Sequence, residues 1–153
     1  RSTARAVQRL LPEPESWLDV GTGDAPFPAA ARELFPYTSF DGLDPTARVA
    51  RARHAERVEE AFAGNVTDPH ITTILRARYD VTTLLRTPAS PEELHAALAT
   101  LRPAGLLLLE IPHAQAEPLR AELESQNCAI VTTTRLVLDR FAANSHRLVA
   151  RRA

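Results

Sequence analysis

The sequence predicts an α/β protein, a doubly wound, seven-stranded sheet that is mostly parallel and closes in a C-terminal antiparallel hairpin. Three observations carry this. Short apolar runs alternate with helix-like segments through most of the chain, which is the pattern of successive βα units. The first apolar run, Trp17-Leu18-Asp19-Val20, ends in Gly21-Thr22-Gly23, and glycines there permit positive φ and let a ligand approach the main chain closely. The tail changes pattern: two strand-like runs follow one another with no helix between them, and strands so joined pair antiparallel.

Each element has its local reason. Ala4 to Leu11 reads as a short helix stopped by Pro12 and Pro14. Trp17 to Val20 is the first strand, and Pro28 to Leu34 the helix after it, with proline tolerated in the first turn. Ser39 to Leu43 is the second strand, ending at Asp44-Pro45, and Thr46 is placed to cap a helix running to about Arg57. A weak third strand covers Val58 to Ala63, with Gly64 and Asn65 as its exit. His70 to Arg78 is helical, and Val81 to Leu85 is the fourth strand. Ser90-Pro91-Glu92-Glu93 combines a cap, a proline at the first helical position and early acids, opening a helix that runs to Leu101. Leu106 to Ile111, the most apolar run, is the fifth strand, ended by Pro112. Glu117 to Gln126 is the last helix. Cys128 to Leu138 and His146 to Arg151 are the closing strands, separated by a turn rich in Ala, Asn and Ser.

Bulk properties narrow the function. A length of 153 residues suits one domain, 1–153, with a sizeable core. A formal charge of −1 provides no general field to recruit nucleic acid or an anionic membrane. All 18 basic residues are arginine, which reads as compositional bias. The Arg-rich helix (Arg48, Arg51, Arg53, Arg57) is neutralised by Glu56, Glu59 and Glu60 and has no interleaved aromatics for base stacking. The lone Cys128 excludes an internal disulfide framework and a cysteine zinc cluster. His54, His70, His95 and His146 lack metal-ligand spacing, so no metal is expected. No signal peptide or membrane-spanning run is read, and a cytoplasmic location is expected. The chain opens on Arg1 and contains no methionine, so an N-terminus trimmed or left out is also expected.

The glycine turn itself discriminates between ligands. No third glycine follows in Gly21-Thr22-Gly23-Asp24-Ala25-Pro26, where a dinucleotide fingerprint needs one for close helix packing. Asp19 and Asp24 flank the turn, which suits a cationic or zwitterionic ligand better than a diphosphate. A nicotinamide-dependent oxidoreductase is disfavoured on these grounds and by the closing hairpin. The acidic-x-Gly-x-Gly pattern resembles the first motif of the class I S-adenosylmethionine-dependent methyltransferases. The resemblance covers Trp17 to about Arg152 and implies their Rossmann-like sheet with its terminal hairpin. Leu101-Arg102-Pro103-Ala104-Gly105 is similar to the family's Leu-x-Pro-Gly-Gly turn, with Ala104 in place of one glycine.

The resemblance implies S-adenosylmethionine as cofactor, held by Asp19, Gly21, Thr22, Gly23, Asp44, Pro45, Asp68 and Leu85. Asp19, at the end of the first strand, would accept hydrogen bonds from loop amides or, through water, from the cofactor's amino-acid group. Gly21 and Gly23 would pass beneath its methionine and ribose. Asp44 ends the second strand, where a carboxylate can accept both ribose hydroxyls. It also reads as a helix cap, and Asp41 is a neighbour that alternation turns away. Asp68 is a candidate for the adenine amino group and equally an N-cap before Pro69. Arg86 could recognise a substrate anion, a solvated surface arginine being the plainer reading. His113, just past the fifth strand, is the best-placed general base, because imidazole titrates near neutrality. An ordinary surface histidine is the alternative.

The reading is methyl transfer to a nucleophile on an organic acceptor, a small molecule or secondary metabolite, with O-methylation favoured because amino-methylating motifs are absent. Little chain precedes the first strand, and one short helix separates the fifth from the hairpin, so the acceptor side is bare. A carrier-bound or macromolecular acceptor, or a partner subunit or missing segment, would complete the lid. A catalytically degenerate fold acting as a binding or scaffolding module is the alternative.

Overall fold

The computed structural model describes residues 2–136 and 145–153. Seven strands form one sheet, in the order β3-β2-β1-β4-β5-β7-β6. They are β1 (Ser16–Val20), β2 (Ser39–Asp44), β3 (Ala61–Ala63), β4 (Tyr79–Leu84), β5 (Leu101–Pro112), β6 (Ala129–Leu136) and β7 (Ser145–Arg151). The intervening helices are α1 (Ser2–Leu10), α2 (Pro26–Ala31), α3 (Arg48–His54), α4 (Pro69–Leu75), α5 (Pro91–Ala99) and α6 (His113–Ser125). Strands β1 to β5 pair in parallel. The chain winds outward from β1 through β2 to β3, then returns to lay β4 on the other side of β1. A sheet that reverses direction in this way opens a crevice at the carboxyl ends of its central strands. β7 pairs antiparallel with β6, as the tail pattern predicts, and its other edge pairs antiparallel with β5.

Both faces are covered, which explains why the strands read as near-continuous apolar runs. Leu18, Val20, Leu107, Leu109 and Ile111 face α4, α5 and α6, meeting Ile71, Leu75, Leu94 and Leu123. Trp17, Phe40, Val81, Leu106, Leu108 and Val149 face α1 and α2. Trp17 is fully buried, with Phe27, Phe35 and Phe40 around it at ring-centroid distances of 5.7, 5.3 and 5.3 Å. A polar chain fastens α1: buried Arg147 donates through Nη2 to Ser2 Oγ at 2.7 Å and through Nε to Thr3 Oγ1 at 3.2 Å. The Thr3 hydroxyl in turn donates to Glu110.

Several boundaries differ from the sequence expectation, with local causes. α2 begins two residues early because Ala25 takes a left-handed conformation, φ 58°, that starts the helix at Pro26. α3 ends at His54 instead of near Arg57 because Glu56, also at φ 58°, turns the chain left-handed. Thr46 lies two residues ahead of that helix, its hydroxyl accepting the Arg48 amide at 3.3 Å. β3 is only three residues long; Val58 packs against Ala25 and Ala52 instead. α6 starts at His113, four residues before the expected Glu117, with Pro118 inside its first turns. The expected end of β6 at Leu138 and the turn after it lie outside the described residues. The cap of α5 is as read: Ser90 Oγ accepts the Glu93 amide at 3.2 Å.

β5 starts at Leu101, five residues before the apolar run, because Leu101 pairs with Tyr79 before the ladder shifts register. Within that shift Ala104 sits at φ 67° and is exposed. A side chain in this left-handed region is strained, and glycine is not. Ala104→Gly is therefore expected to raise stability by about 1 kcal/mol. The check is a shift of the urea midpoint with unchanged slope.

Candidate functional site

The crevice is built where β1, β2 and β4 end. Gly21 and Gly23 take φ 71° and 57°. The amides of Gly21 and Thr22 both donate to the Leu43 carbonyl, at 2.8 and 3.1 Å, folding the turn back onto β2. The Gly23 amide then donates to Asp44 Oδ1 at 3.1 Å. Asp44 Oδ2 accepts the Thr46 amide at 3.0 Å as well as the Thr46 hydroxyl. Burial alone would push the Asp44 carboxyl up, but these Thr46 and Gly23 hydrogen bonds and nearby Arg48 outweigh it and hold it below its usual range. An ionised carboxylate thus stands at the mouth of the crevice.

Asp19 lies beneath the turn, buried, and makes no bond to a loop amide. Thr83 of β4 donates to Oδ1 at 2.6 Å and Thr22 to Oδ2 at 2.7 Å. Thr83 also accepts the Trp17 indole N–H at 3.3 Å. Burial pushes the Asp19 carboxyl up to about 6 against the lowering effect of the two hydroxyls. Room for Thr22 comes from Gly42, the β2 neighbour of Asp19: a Cβ there would fall 2.7 Å from the Thr22 methyl. Asp24 turns outward instead of into the crevice. Arg48 binds it through Nε and Nη2 at 3.0 and 2.9 Å, which holds its carboxyl low. The flanking acids therefore do not present a paired negative charge to a ligand; Asp44 does so alone. Asp41 is likewise taken, accepting the Tyr79 hydroxyl at 2.7 Å and the Glu60 amide at 3.2 Å.

The crevice has a volume of about 220 Å³, with Gly21, Asp44, Pro45 and Val66 in its walls, and adjoins a hollow of about 180 Å³. Asn65, Val66, Arg86 and Glu93 line both. A Cβ on Gly21 would meet only Arg86 Nε, at 3.5 Å, so the backbone there is open to a ligand. Asp68 is not in the lining. Its Oδ2 accepts the Asn65 amide at 2.9 Å, bracing the loop, and it makes no side-chain cap on α4. Leu85 lies one residue beyond β4, partly buried and outside the lining, while Arg86 is inside it. Arg86 is exposed at its surface, as a solvated arginine is, and is also ion-paired with Glu93.

His113, the first residue of α6, is exposed at the carboxyl end of β5. Its Nδ1 lies 2.8 Å from Nε2 of His146, 33 residues later on β7. His146 Nδ1 is buried and has no hydrogen-bond partner among the described residues. Among the described residues, no group of three or more His, Cys, Asp or Glu could hold a metal. Nor is any described helix long and apolar enough to cross a membrane. The roles of Thr83, Glu93 and His146, and the ion pair that holds Arg86, escape sequence reasoning because each depends on a partner brought up by the fold.

An open glycine turn, an ionised carboxylate one strand away and flanking Pro45 and Val66 fit a nucleoside with a further group extending over β1. A family described as methyltransferase domain matches residues 1–129, and the chain belongs to it. Its cofactor is S-adenosylmethionine. The chain is similar in structure to a Burkholderia thailandensis 1,6-didemethyltoxoflavin-N1-methyltransferase with bound 1,6-didemethyltoxoflavin and S-adenosylhomocysteine. That match has 20% identity and a TM-score of 0.79, over 100% of this chain and 77% of that one. It is also similar to magnesium protoporphyrin IX methyltransferase from Synechocystis PCC 6803 with bound SAM, at 16% identity, TM-score 0.74, over 99% and 79% of the two chains. A third likeness comes from a complex of the Haloferax volcanii Trm112 methyltransferase activator with a methyltransferase. There the identity is 16% and the TM-score 0.73, over 97% and 87% of the chains. No curated protein matches in sequence.

The burial of Asp19 has a measurable signature. Its carboxyl rises from 3.8 to about 6 on folding, so the folded state holds a proton that the unfolded chain releases, and stability contributed here falls as pH rises through that window. Asp19→Asn lacks this loss. Its stability relative to the parent protein should improve by about 2 kcal/mol between about pH 4 and pH 7. Urea unfolding of both proteins at the two pH values measures it, and a pH-independent difference would contradict it.

Proposed function

We propose that this chain, as one cytoplasmic domain, methylates a hydroxyl on a small organic acceptor, with Asp44 holding the cofactor's ribose and His113 acting as base. The observation that carries the reading is the ionised Asp44 carboxylate at the open end of β2, beside the bare backbone of Gly21. Asp44 would accept the two ribose hydroxyls, with Pro45 and Val66 against the adenine. Gly21 leaves space for the rest of the molecule, whereas the Arg48 guanidinium lies over Gly23. Asp19 and Thr22 shape the turn from beneath, and Asp68 braces the loop that carries Asn65 and Val66. Leu85, next to Arg86, completes the β4 edge.

The cofactor supplies an activated methyl group on sulfonium, so the protein's task is chiefly orientation and water exclusion. His113 offers one further contribution. If its Nδ1–H donates to His146 Nε2, the His113 Nε2 lone pair faces outward and can take the acceptor's proton. A hydroxyl is a weak nucleophile until its proton is removed, whereas a neutral amine attacks with its own lone pair, so a hydroxyl acceptor gains more from such a base, and this supports the O-methylation reading. The acceptor side has only α6 between β5 and β6. A carrier-bound acceptor or a partner subunit would cover it, and one structural neighbour is held in a complex with an activator. Nucleic acid is disfavoured, since Arg48 and Arg51 face Asp24.

Calorimetric titration with S-adenosylmethionine and S-adenosylhomocysteine tests the cofactor assignment. Micromolar binding, about −8 kcal/mol, is expected, and Asp44→Ala should weaken it by about 1–3 kcal/mol. Unchanged affinity would remove Asp44 from the site, and no binding by folded protein would favour a scaffold. His113→Ala should leave binding of both ligands intact while lowering the methylation rate about 100-fold. A rate within about twofold of the parent would make it a bystander.

A further inference from the structure

Arg86 is held in a way that leaves part of its guanidinium unused. Nη1 donates to Glu93 Oε2 at 3.2 Å and to the Thr87 carbonyl at 3.2 Å, and Nη2 donates to Glu93 Oε1. Glu93, in the first turn of α5, is itself fixed: its side chain is 9% exposed and it accepts the Ala89 amide at 2.5 Å. Burial would raise its carboxyl, but Arg86 and that amide hold it low. Among the described residues Nε has no acceptor. It points over the glycine turn, 3.5 Å from where a Cβ on Gly21 would lie. A carboxylate anchor on one edge of the fork and a free donor edge over bare backbone make a receptor for a second carboxylate.

The sheet order says which carboxylate. With the ribose on Asp44 at the end of β2 and the base toward β3, the remaining end of the cofactor runs the other way, across β1 toward β4. Gly21 and Arg86 lie there. That end is an amino acid, whose α-carboxylate is the cofactor's only anionic group. We propose that Arg86 binds the α-carboxylate of S-adenosylmethionine, with Glu93 as the positioning residue that aims the guanidinium. The proposal rests on the cofactor orientation given under Proposed function. Arginine suits this place where lysine would not, because one planar group serves both carboxylates. The anchor also removes rotamer freedom that a solvated arginine would lose on binding.

Two ligands separate the amino-acid end from the nucleoside. S-adenosylhomocysteine carries the α-carboxylate; 5′-methylthioadenosine keeps the thioether nucleoside and lacks the amino acid. Calorimetry with Arg86→Ala should show about 10- to 100-fold weaker S-adenosylhomocysteine binding, with 5′-methylthioadenosine affinity within about threefold of the parent. Glu93→Gln should reduce S-adenosylhomocysteine affinity by a smaller factor and again spare 5′-methylthioadenosine. Arg86→Lys, which keeps the charge, should recover part of the loss and guards against a folding defect in the alanine variant. Equal weakening of both ligands in Arg86→Ala, or no change in either, would overturn the carboxylate role. Failure of the parent protein to bind either ligand would instead overturn the cofactor orientation itself.

Discussion

The buried carboxylate of Asp19 is the constraint around which the site is arranged. A carboxyl in the middle of a sheet is costly unless hydrogen-bonded, and here the bonds come from both sides of its own strand. Thr83 reaches across from β4 and Thr22 returns from the turn that follows. Satisfying Asp19 therefore pulls Thr22 inward, which requires Gly42 opposite and a left-handed glycine on each side of Thr22. The same turn delivers the Gly23 amide to Asp44. Trp17, joined through Thr83 and packed among three phenylalanines, makes the base of this arrangement rigid.

Around that centre the charges are sorted by partner. Asp24 is committed to Arg48, Asp41 to Tyr79, and Glu93 to Arg86. Burial pushes the carboxyls of Asp19 and Asp41 up, whereas hydrogen bonds hold Asp44 and Glu93 down. What faces the crevice is the ionised Asp44 carboxylate on the β2 side and, on the β4 side, the Arg86 guanidinium with its Glu93 partner, a polarity that matches a molecule with hydroxyls at one position and a carboxylate at another.

The fold was legible because buried parallel strands must be apolar on both faces, so Leu106 to Leu109 and Trp17 to Val20 stand out from their surroundings. The doubly wound sheet and its closing hairpin were legible from the glycine turn and the helix-free tail, but the insertion of β7 between β5 and β6 was not, because it is a long-range pairing. Helix ends were less legible where Ala25 and Glu56 adopt left-handed backbone, since neither residue type signals it. Gly21 and Asp44, placed by the backbone at strand ends, could be put at the crevice by spacing. Residues defined by a distant partner could not. Asp24 looked ligand-facing until α3 brought Arg48 to it. The ion pair of Arg86 was not legible because its anchor comes from the next helix. The pairing of His113 with His146 exists only because β7 inserts beside β5.

That insertion bears on how the protein is made. The segment that fills the gap between β5 and β6 is residues 145–151, which leave the ribosome after every other strand. Until they arrive, β5 offers an unpaired edge beside the most apolar run in the sequence, and β6 has no neighbour to join. Arg147 travels in the same segment, so α1, made well before it, waits for residue 147 before Ser2 and Thr3 find their partner. A nascent chain stalled before residue 145 would expose a sticky strand edge. Translation speed and chaperone access over this short stretch would then govern how much of the protein reaches its native state.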